Sequence, residues 1–166
     1  DLPCDISFIN VKEEKFLVLT GKLNESVYEM FVTNITPEST IDINSYKEGI
    51  IHKNGKGNYS LILKNGVTKI AIENIGKTFN KDYESMSRLV SALLRHGVSL
   101  EFIVEQLGKD CNFGSFGKSV SRVLKKYIKD GERVMSNQEC PECKSKNLVY
   151  KDGCLTCPNC GWSRCS

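Results

Sequence analysis

No stretch of this 166-residue sequence approaches the ~20 consecutive apolar residues needed to cross a bilayer, so no membrane-spanning segment is expected. Aromatic residues are sparse, at 8% with a single Trp. The hydrophobic share of 40% and the charged share of 26% are ordinary globular proportions, which excludes fibrous and wholly disordered classes. The opening Asp1-Leu2-Pro3-Cys4 has neither a basic n-region nor an apolar h-region, so no secretory signal is read. Without an initiator Met, it reads as the cut end of something longer. Internal repeats and low-complexity tracts are lacking. So are a Ser/His/Asp set, a carboxylate pair and a dinucleotide fingerprint, and nothing in the sequence is expected to run a reaction alone. At 18.6 kDa the chain fits one ordinary domain and a small satellite, too little for a large barrel enzyme with its own cofactor site.

Charge is modest but uneven. The net value is +3; residues 1–108 carry −2 and residues 109–166 carry +5. A mildly basic tail could meet nucleic acid or an acidic partner, but such an excess is usually a solvated face.

Cysteine is abundant, and its distribution is the informative feature. Six of the eight cysteines fall in residues 140–166: Cys140, Cys143, Cys154, Cys157, Cys160 and Cys165. A secreted disulfide scaffold spreads its cysteines through the fold. A cluster built on Cys-x-x-Cys pairs points instead to metal binding or thiol exchange in a reducing, cytoplasmic setting. Cys140-Pro141-Glu142-Cys143 and Cys157-Pro158-Asn159-Cys160-Gly161 are two such turns, separated by 13 residues. Tetrahedral zinc takes four thiolates from two turns of this kind, and a module this small needs the metal to fold. Two registers satisfy the spacing. Zinc on Cys140, Cys143, Cys157 and Cys160 leaves Cys154 and Cys165; zinc on Cys140, Cys143, Cys154 and Cys157 leaves Cys160 and Cys165. The Pro and Gly placements favour the first. Either way Cys165 is spare, on a tethered module near the end of the sequence, an arrangement suited to disulfide shuttling.

The first 75 residues read as strands. Phe16–Leu19, Val27–Val32 and Tyr59–Leu63 are β-branched or aromatic runs punctuated by Gly and Asn, and Asn65-Gly66 predicts a two-residue hairpin. The period then turns helical. Met86, Leu89, Val90, Leu93 and Leu94 form one apolar stripe ended by Arg95-His96-Gly97. Ser99 caps a second helix ending at Gly108, and a third, with Val120, Val123, Leu124 and Ile128, runs towards Gly131. The expected fold is therefore α+β: a small antiparallel β-meander packed by about three helices, then a zinc-ribbon-like module. Its domains are 1–131 (strands about 5–75, helices about 82–130), a linker 132–139 including Met135-Ser136-Asn137-Gln138, and the cysteine tail 140–166.

Other candidates read structurally. Cys4 and Cys111 are small core hydrophobes, and His96 is a helix cap rather than a catalytic group. His52 has no visible partner, and Gly55-Lys56-Gly57 is a turn rather than a phosphate loop. Lys125, Lys126 and Lys129 form a wet helix face, and Arg88 and Arg95 share a helix face without an identified anion.

Taken together, three blocks resemble the C-terminal part of the adenosylcobalamin-dependent (class II) ribonucleoside-diphosphate reductases, including their TSCPD domain. They are Leu89-Val90-Ser91-Ala92-Leu93-Leu94-Arg95-His96-Gly97 with Phe102–Leu107, Ser115-Phe116-Gly117-Lys118 with Arg122–Ile128, and Gly153–Cys165. The helix entry at Ser115 lacks the Pro-Asp of many TSCPD sequences. The resemblance implies a role in reducing ribonucleotides to deoxyribonucleotides for DNA synthesis and repair. In such enzymes a cobalamin-generated thiyl radical activates the ribose, an active-site cysteine pair becomes a disulfide, and C-terminal cysteines re-reduce it before being recharged by a thioredoxin-like reductant. Cys165 matches the last cysteine of that signature, with Cys154 or Cys160 as its partner.

Because the catalytic barrel has no counterpart here, the chain is expected to be a C-terminal part or accessory subunit of such a reductase, inactive alone. Its expected partner is the barrel, in the same chain or a separate subunit. Adenosylcobalamin is implied for the parent enzyme and is not expected on this chain. The alternative is a zinc-ribbon binding module for nucleic acid or a protein partner, without a redox role; in the leading reading no membrane partner is expected and nucleic acid is not an expected partner.

Overall fold

The computed structural model describes residues 1–35, 42–109, 115–134 and 137–165, which form two compact units, Asp1–Gly97 and Val98–Ser166. Among the described residues, no helix is long and apolar enough to cross a membrane. Cys111, Met135 and Ser136 lie outside the described residues.

Unit 1 is a six-stranded antiparallel sheet with, among the described residues, one α-helix and a short 3₁₀ turn at Ile43–Ser45. Its strands are β1 (Leu2–Val11), β2 (Glu14–Leu23), β3 (Ser26–Asn34), β4 (Glu48–Gly55), β5 (Asn58–Asn65) and β6 (Thr68–Ile72), followed by α1 (Lys81–Arg95). The strand order is β3-β2-β1-β4-β5-β6, so two three-stranded meanders meet along β1 and β4. Turn chemistry fixes the registers. At the β2–β3 hairpin both Asn24 and Glu25 take positive φ (+50° and +63°), as a type I′ turn requires. The hairpin expected at Asn65-Gly66 forms, but Asn65 pairs with Thr68, so the turn is Gly66-Val67. Gly66 (φ +59°) occupies the first central position, where a II′ turn wants glycine. Gly55 ends β4 and Lys56-Gly57 is the next connection, as the sequence suggests.

The core on one sheet face gathers Leu17, Leu19, Ile51, Leu61, Leu63 and Cys4, with Ile43 and Ile75 from the connecting segments. Cys4 pairs across to Gly21 on one side and to Gly49 on the other. A Cβ on Gly21 would meet Leu2 Cδ2 at 2.6 Å, and one on Gly49 would meet Leu61 Cδ1 at 2.7 Å. The narrow Gly-Cys-Gly row thus admits larger neighbours, and burial pushes the Cys4 thiol up to about 12, where it is inert.

β3 is an edge strand, and α1 covers it. The Met30 N–H donates to Ser91 Oγ (2.9 Å), and the Ser91 hydroxyl donates to the Met30 carbonyl (2.6 Å). Both backbone groups of Met30 on the edge strand are thereby satisfied from the helix. Arg95 pairs with the buried Glu29 carboxylate at 3.1 Å, which supplies the anion the sequence left unidentified; Arg88 donates to Ser85 Oγ. Only part of the expected stripe is buried: Val90 and Leu94 are, whereas Leu89 is 65% and Leu93 41% exposed. The buried arc is Ser87, Val90, Ser91 and Leu94, because two positions are given to serines that bond the strand edge. Asn80 caps the helix start by accepting from Asp82 N, and His96 closes its end against the Ala92 carbonyl before Gly97 (φ +75°). His52 has a partner after all, Asp1, at 2.5 Å.

Unit 2 comprises α2 (Leu100–Gly108), α3 (Phe116–Lys125) and the strands β7 (Val149–Lys151), β8 (Cys154–Thr156) and β9 (Ser163–Arg164). Ser99 and Ser115 cap the two helices, which pack on each other through Val104, Val120 and Leu124 in the buried interior, and Ser121 donates to the Val104 carbonyl. α3 stops at Lys125, short of Gly131; tighter i→i+3 bonds carry the chain on to Ile128. Part of the stretch expected as linker is tied down: Gly131, Glu132 and Val134 exchange backbone hydrogen bonds with Leu148 and Tyr150.

Replacing Ser91 with Ala would leave the buried N–H of Met30 without a partner. A loss of about 2 kcal/mol is expected in chemical denaturation. An unchanged midpoint would show that the edge is satisfied in another way.

Candidate metal centre and disulfide

Two turns present the sulfurs. In the first, Lys144 N donates to the Cys140 carbonyl and Cys140 N to the Ser145 carbonyl; in the second, Gly161 N donates to the Cys157 carbonyl and Cys157 N to the Trp162 carbonyl. Lys144 (φ +60°) and Gly161 (φ +80°) occupy equivalent places just after each Cys-Pro-x-Cys. The repeated turn puts both sulfurs of each pair on one side. The Sγ atoms of Cys140, Cys143, Cys157 and Cys160 all lie within 4.8 Å of one another.

Two cross-turn separations are 3.6 Å, Cys140 to Cys160 and Cys143 to Cys157. That is far beyond a disulfide bond and close to the ~3.8 Å edge of a tetrahedron with ~2.3 Å metal–sulfur bonds. Four sulfurs and no oxygen form a soft donor set that suits zinc. The electrostatics agree. Asn159 Nδ2 donates to Cys143 Sγ (3.4 Å) and, with the Ser145 backbone, holds that thiol down at about 6. The Trp162 backbone favours the Cys160 thiolate, but burial and the three neighbouring thiols outweigh it and push Cys160 up to about 12. Repulsion among thiolates is what a bound cation removes, so the four residues can hold a metal ion that displaces a proton from Cys160.

The remaining two cysteines of the tail are joined. β8 pairs with β9 through Leu155–Arg164 and Thr156–Ser163, and the next pair in that register is Cys154–Cys165. Their Cα atoms are 4.4 Å apart, the close spacing of a non-hydrogen-bonded antiparallel pair, and they form a disulfide. Cys154 is partly buried and Cys165 exposed. Cys160, the other partner considered for Cys165, sits in the four-sulfur group. The Asp152-Gly153 turn, with both φ positive, fixes the adjoining β7–β8 hairpin, and Asp152 N donates to Asp130 Oδ1 just beyond α3.

The model of a family described as the NrdJ homologue C-terminal domain matches residues 2–129. The chain belongs to this family. NrdJ is the class II, adenosylcobalamin-dependent ribonucleotide reductase, so the match associates this chain with class II ribonucleotide reductase. The chain matches no curated protein and no solved structure. In this NrdJ-related chain the matched stretch covers the sheet and all three helices, whereas the four-sulfur group and the disulfide lie beyond it.

Two features escaped the sequence. Asn159 reaches Cys143 from inside the second turn, where only the Cys and Pro positions carry an obvious signal. Lys125, read as part of a wet face with Lys126 and Lys129, is half-buried, while the other two are exposed. Its spacing from Lys118 and Arg122, seven and three residues, was the legible clue.

Substituting Cys143 or Cys157 with Ala is expected to abolish retention of one metal ion per chain in gel-filtered protein, while Cys154→Ala retains it. The opposite pattern would overturn this grouping. Retention should also weaken as pH falls, because Cys160 must remain deprotonated for coordination.

Proposed function

We propose that the chain is the C-terminal part or accessory subunit of a class II ribonucleotide reductase, in which the Cys154–Cys165 pair re-reduces the disulfide formed at the catalytic centre. The observation that carries this reading is the division of the six tail sulfurs into four gathered around one point and two paired across β8–β9. Family membership supports the reductase context.

In this reading the ligands are Cys140, Cys143, Cys157 and Cys160. Zinc, when bound, ties the two turns together and supplies no redox chemistry. The domains are those the sequence pattern and the family resemblance imply: a TSCPD-like domain over 1–131, a connection over 132–139 and the redox-active tail over 140–166. Adenosylcobalamin belongs to the catalytic part, and no residue of this chain is assigned to it. The setting is the cytoplasm, where thiols are kept reduced.

Each electron transfer is a thiol–disulfide exchange. With the pair reduced, the Cys165 thiolate attacks one sulfur of the active-site disulfide, forming a mixed disulfide and releasing one active-site thiol. Cys154 then attacks Cys165, releasing the second thiol and closing Cys154–Cys165. Two electrons and two protons have moved to the active site. A thioredoxin-like dithiol reverses the change and is itself oxidised. The exposed Cys165 suits the attacking role, and the more buried Cys154 suits resolution.

In the assembled reductase, Cys165→Ser is expected to lower turnover with a protein dithiol reductant by roughly 100-fold, yet to leave turnover with excess dithiothreitol within about twofold. Equal rates with the protein reductant would favour the alternative, a binding module without a redox role.

A further inference from the structure

Beside the disulfide, unit 2 holds a cavity of about 510 Å³. Its wall carries Lys118, Arg122 and Lys125 from α3 and Arg164 from β9, with the buried Ser121 among them and the exposed Cys165 at the rim. The three α3 residues stand at i, i+4 and i+7, one helix face spanning about 10 Å. Among the described residues, no Asp or Glu lines the cavity and no carboxylate ion-pairs with Lys118, Arg122 or Arg164. Glu105 borders the adjoining cleft with Lys125 and Arg164, which leaves the combined surface positive. Burial, then Arg164, Arg122 and Lys118, hold the Lys125 ammonium below its usual range. Like charges have been brought together on a concave wall, and an anion would relieve them.

We propose that this cavity binds an oligophosphate, a compact polyanion of the di- or triphosphate class. Two planar guanidinium forks and two ammonium groups match the clustered oxygens of such a chain better than a single carboxylate. The volume is that of a small-molecule site, and its concavity separates it from the flatter basic surfaces that take macromolecules. The site is also linked to the redox state of its rim. As a disulfide, Cys165 carries no charge. Once reduced to the thiolate it supplies a negative charge beside the same cations and competes with the ligand. The oligophosphate therefore binds the disulfide form more tightly and, by reciprocity, makes that disulfide harder to reduce. The binding site itself does not depend on whether the pair carries electrons in turnover; only the linkage concerns its redox state.

Calorimetric titration of the metal-loaded full chain with inorganic triphosphate tests this. One-to-one saturable binding is expected. Arg122→Gln and Arg164→Gln, both at exposed positions, should each weaken it about tenfold, with helical content checked by circular dichroism. Lys126→Gln, exposed but outside the cavity wall, should change it by less than about twofold. Reduction by dithiothreitol, whose two thiols become a cyclic disulfide as Cys154–Cys165 becomes two thiols, should weaken binding several-fold. Absence of saturable binding, an equal loss in Lys126→Gln, or tighter binding of a poly-glutamate peptide than of triphosphate would overturn the site. Equal affinity in the two redox states would overturn the linkage.

Discussion

Residues 140–165 bury too little apolar surface to fold unaided, and this constraint governs unit 2. Apart from cysteines, only Leu148, Tyr150 and Leu155 of that stretch are buried hydrophobics. Three side chains cannot offset the ordering of some two dozen residues, so the gathering of sulfurs must supply the difference. Everything chemically notable in the unit follows from it. The second of the two turns that converge on the four sulfurs also joins β8 to β9 and sets their register. That register places Cys165 opposite Cys154 and aligns Arg164 with Leu155. Loss of the sulfur cluster would therefore disturb the disulfide and the cationic wall together, although neither includes a ligand residue.

Unit 1 meets a different constraint. Its sheet ends in strand edges, and an uncovered edge invites pairing with another chain. Ser87 and Ser91 give up apolar burial on α1 to bond the Met30 backbone, and the Glu29–Arg95 pair pins the end of the same helix to the same strand. Leu89 and Leu93 remain exposed as the counterpart of that choice. The helix is thus placed by polar contacts to one strand as much as by its hydrophobic face.

What the sequence made legible was local. The helix cap at Ser99, the closing His96-Gly97 and the two Cys-Pro-x-Cys turns each depend on residues a few positions apart, and each forms where the pattern stands. The Asn65-Gly66 signal located a hairpin but misplaced its turn by one residue, because pairing of Asn65 with Thr68 is set by the whole β5–β6 ladder. Non-local facts were hidden. No periodicity in Glu48–Gly55 says that β4 returns beside β1, and no motif says that Arg164 completes a wall begun on α3. Lys125 looked solvated because a helical wheel records only its own helix, whereas its burial is set by the surrounding fold of unit 2.

The six tail cysteines divide by backbone geometry rather than by chemistry. Cys140, Cys143, Cys157 and Cys160 stand at tight turns, where successive sulfurs converge and the backbone carbonyls accept from amides of the same turn. Cys154 opens β8 and Cys165 directly follows β9, where a sulfur's nearest neighbour lies across the ladder. Converging thiols repel one another as they ionise and so favour a cation. A facing pair reaches neutrality by forming a bond, with no ion required. The same element therefore serves as an electrostatic clamp in one place and as a reversible two-electron link in another. Residues 157–165 hold both, since Cys157 and Cys160 anchor the second turn and Cys165 follows five residues later. The clamp fixes where the link stands, and the link, exposed at Cys165, is left free to open without disturbing the clamp.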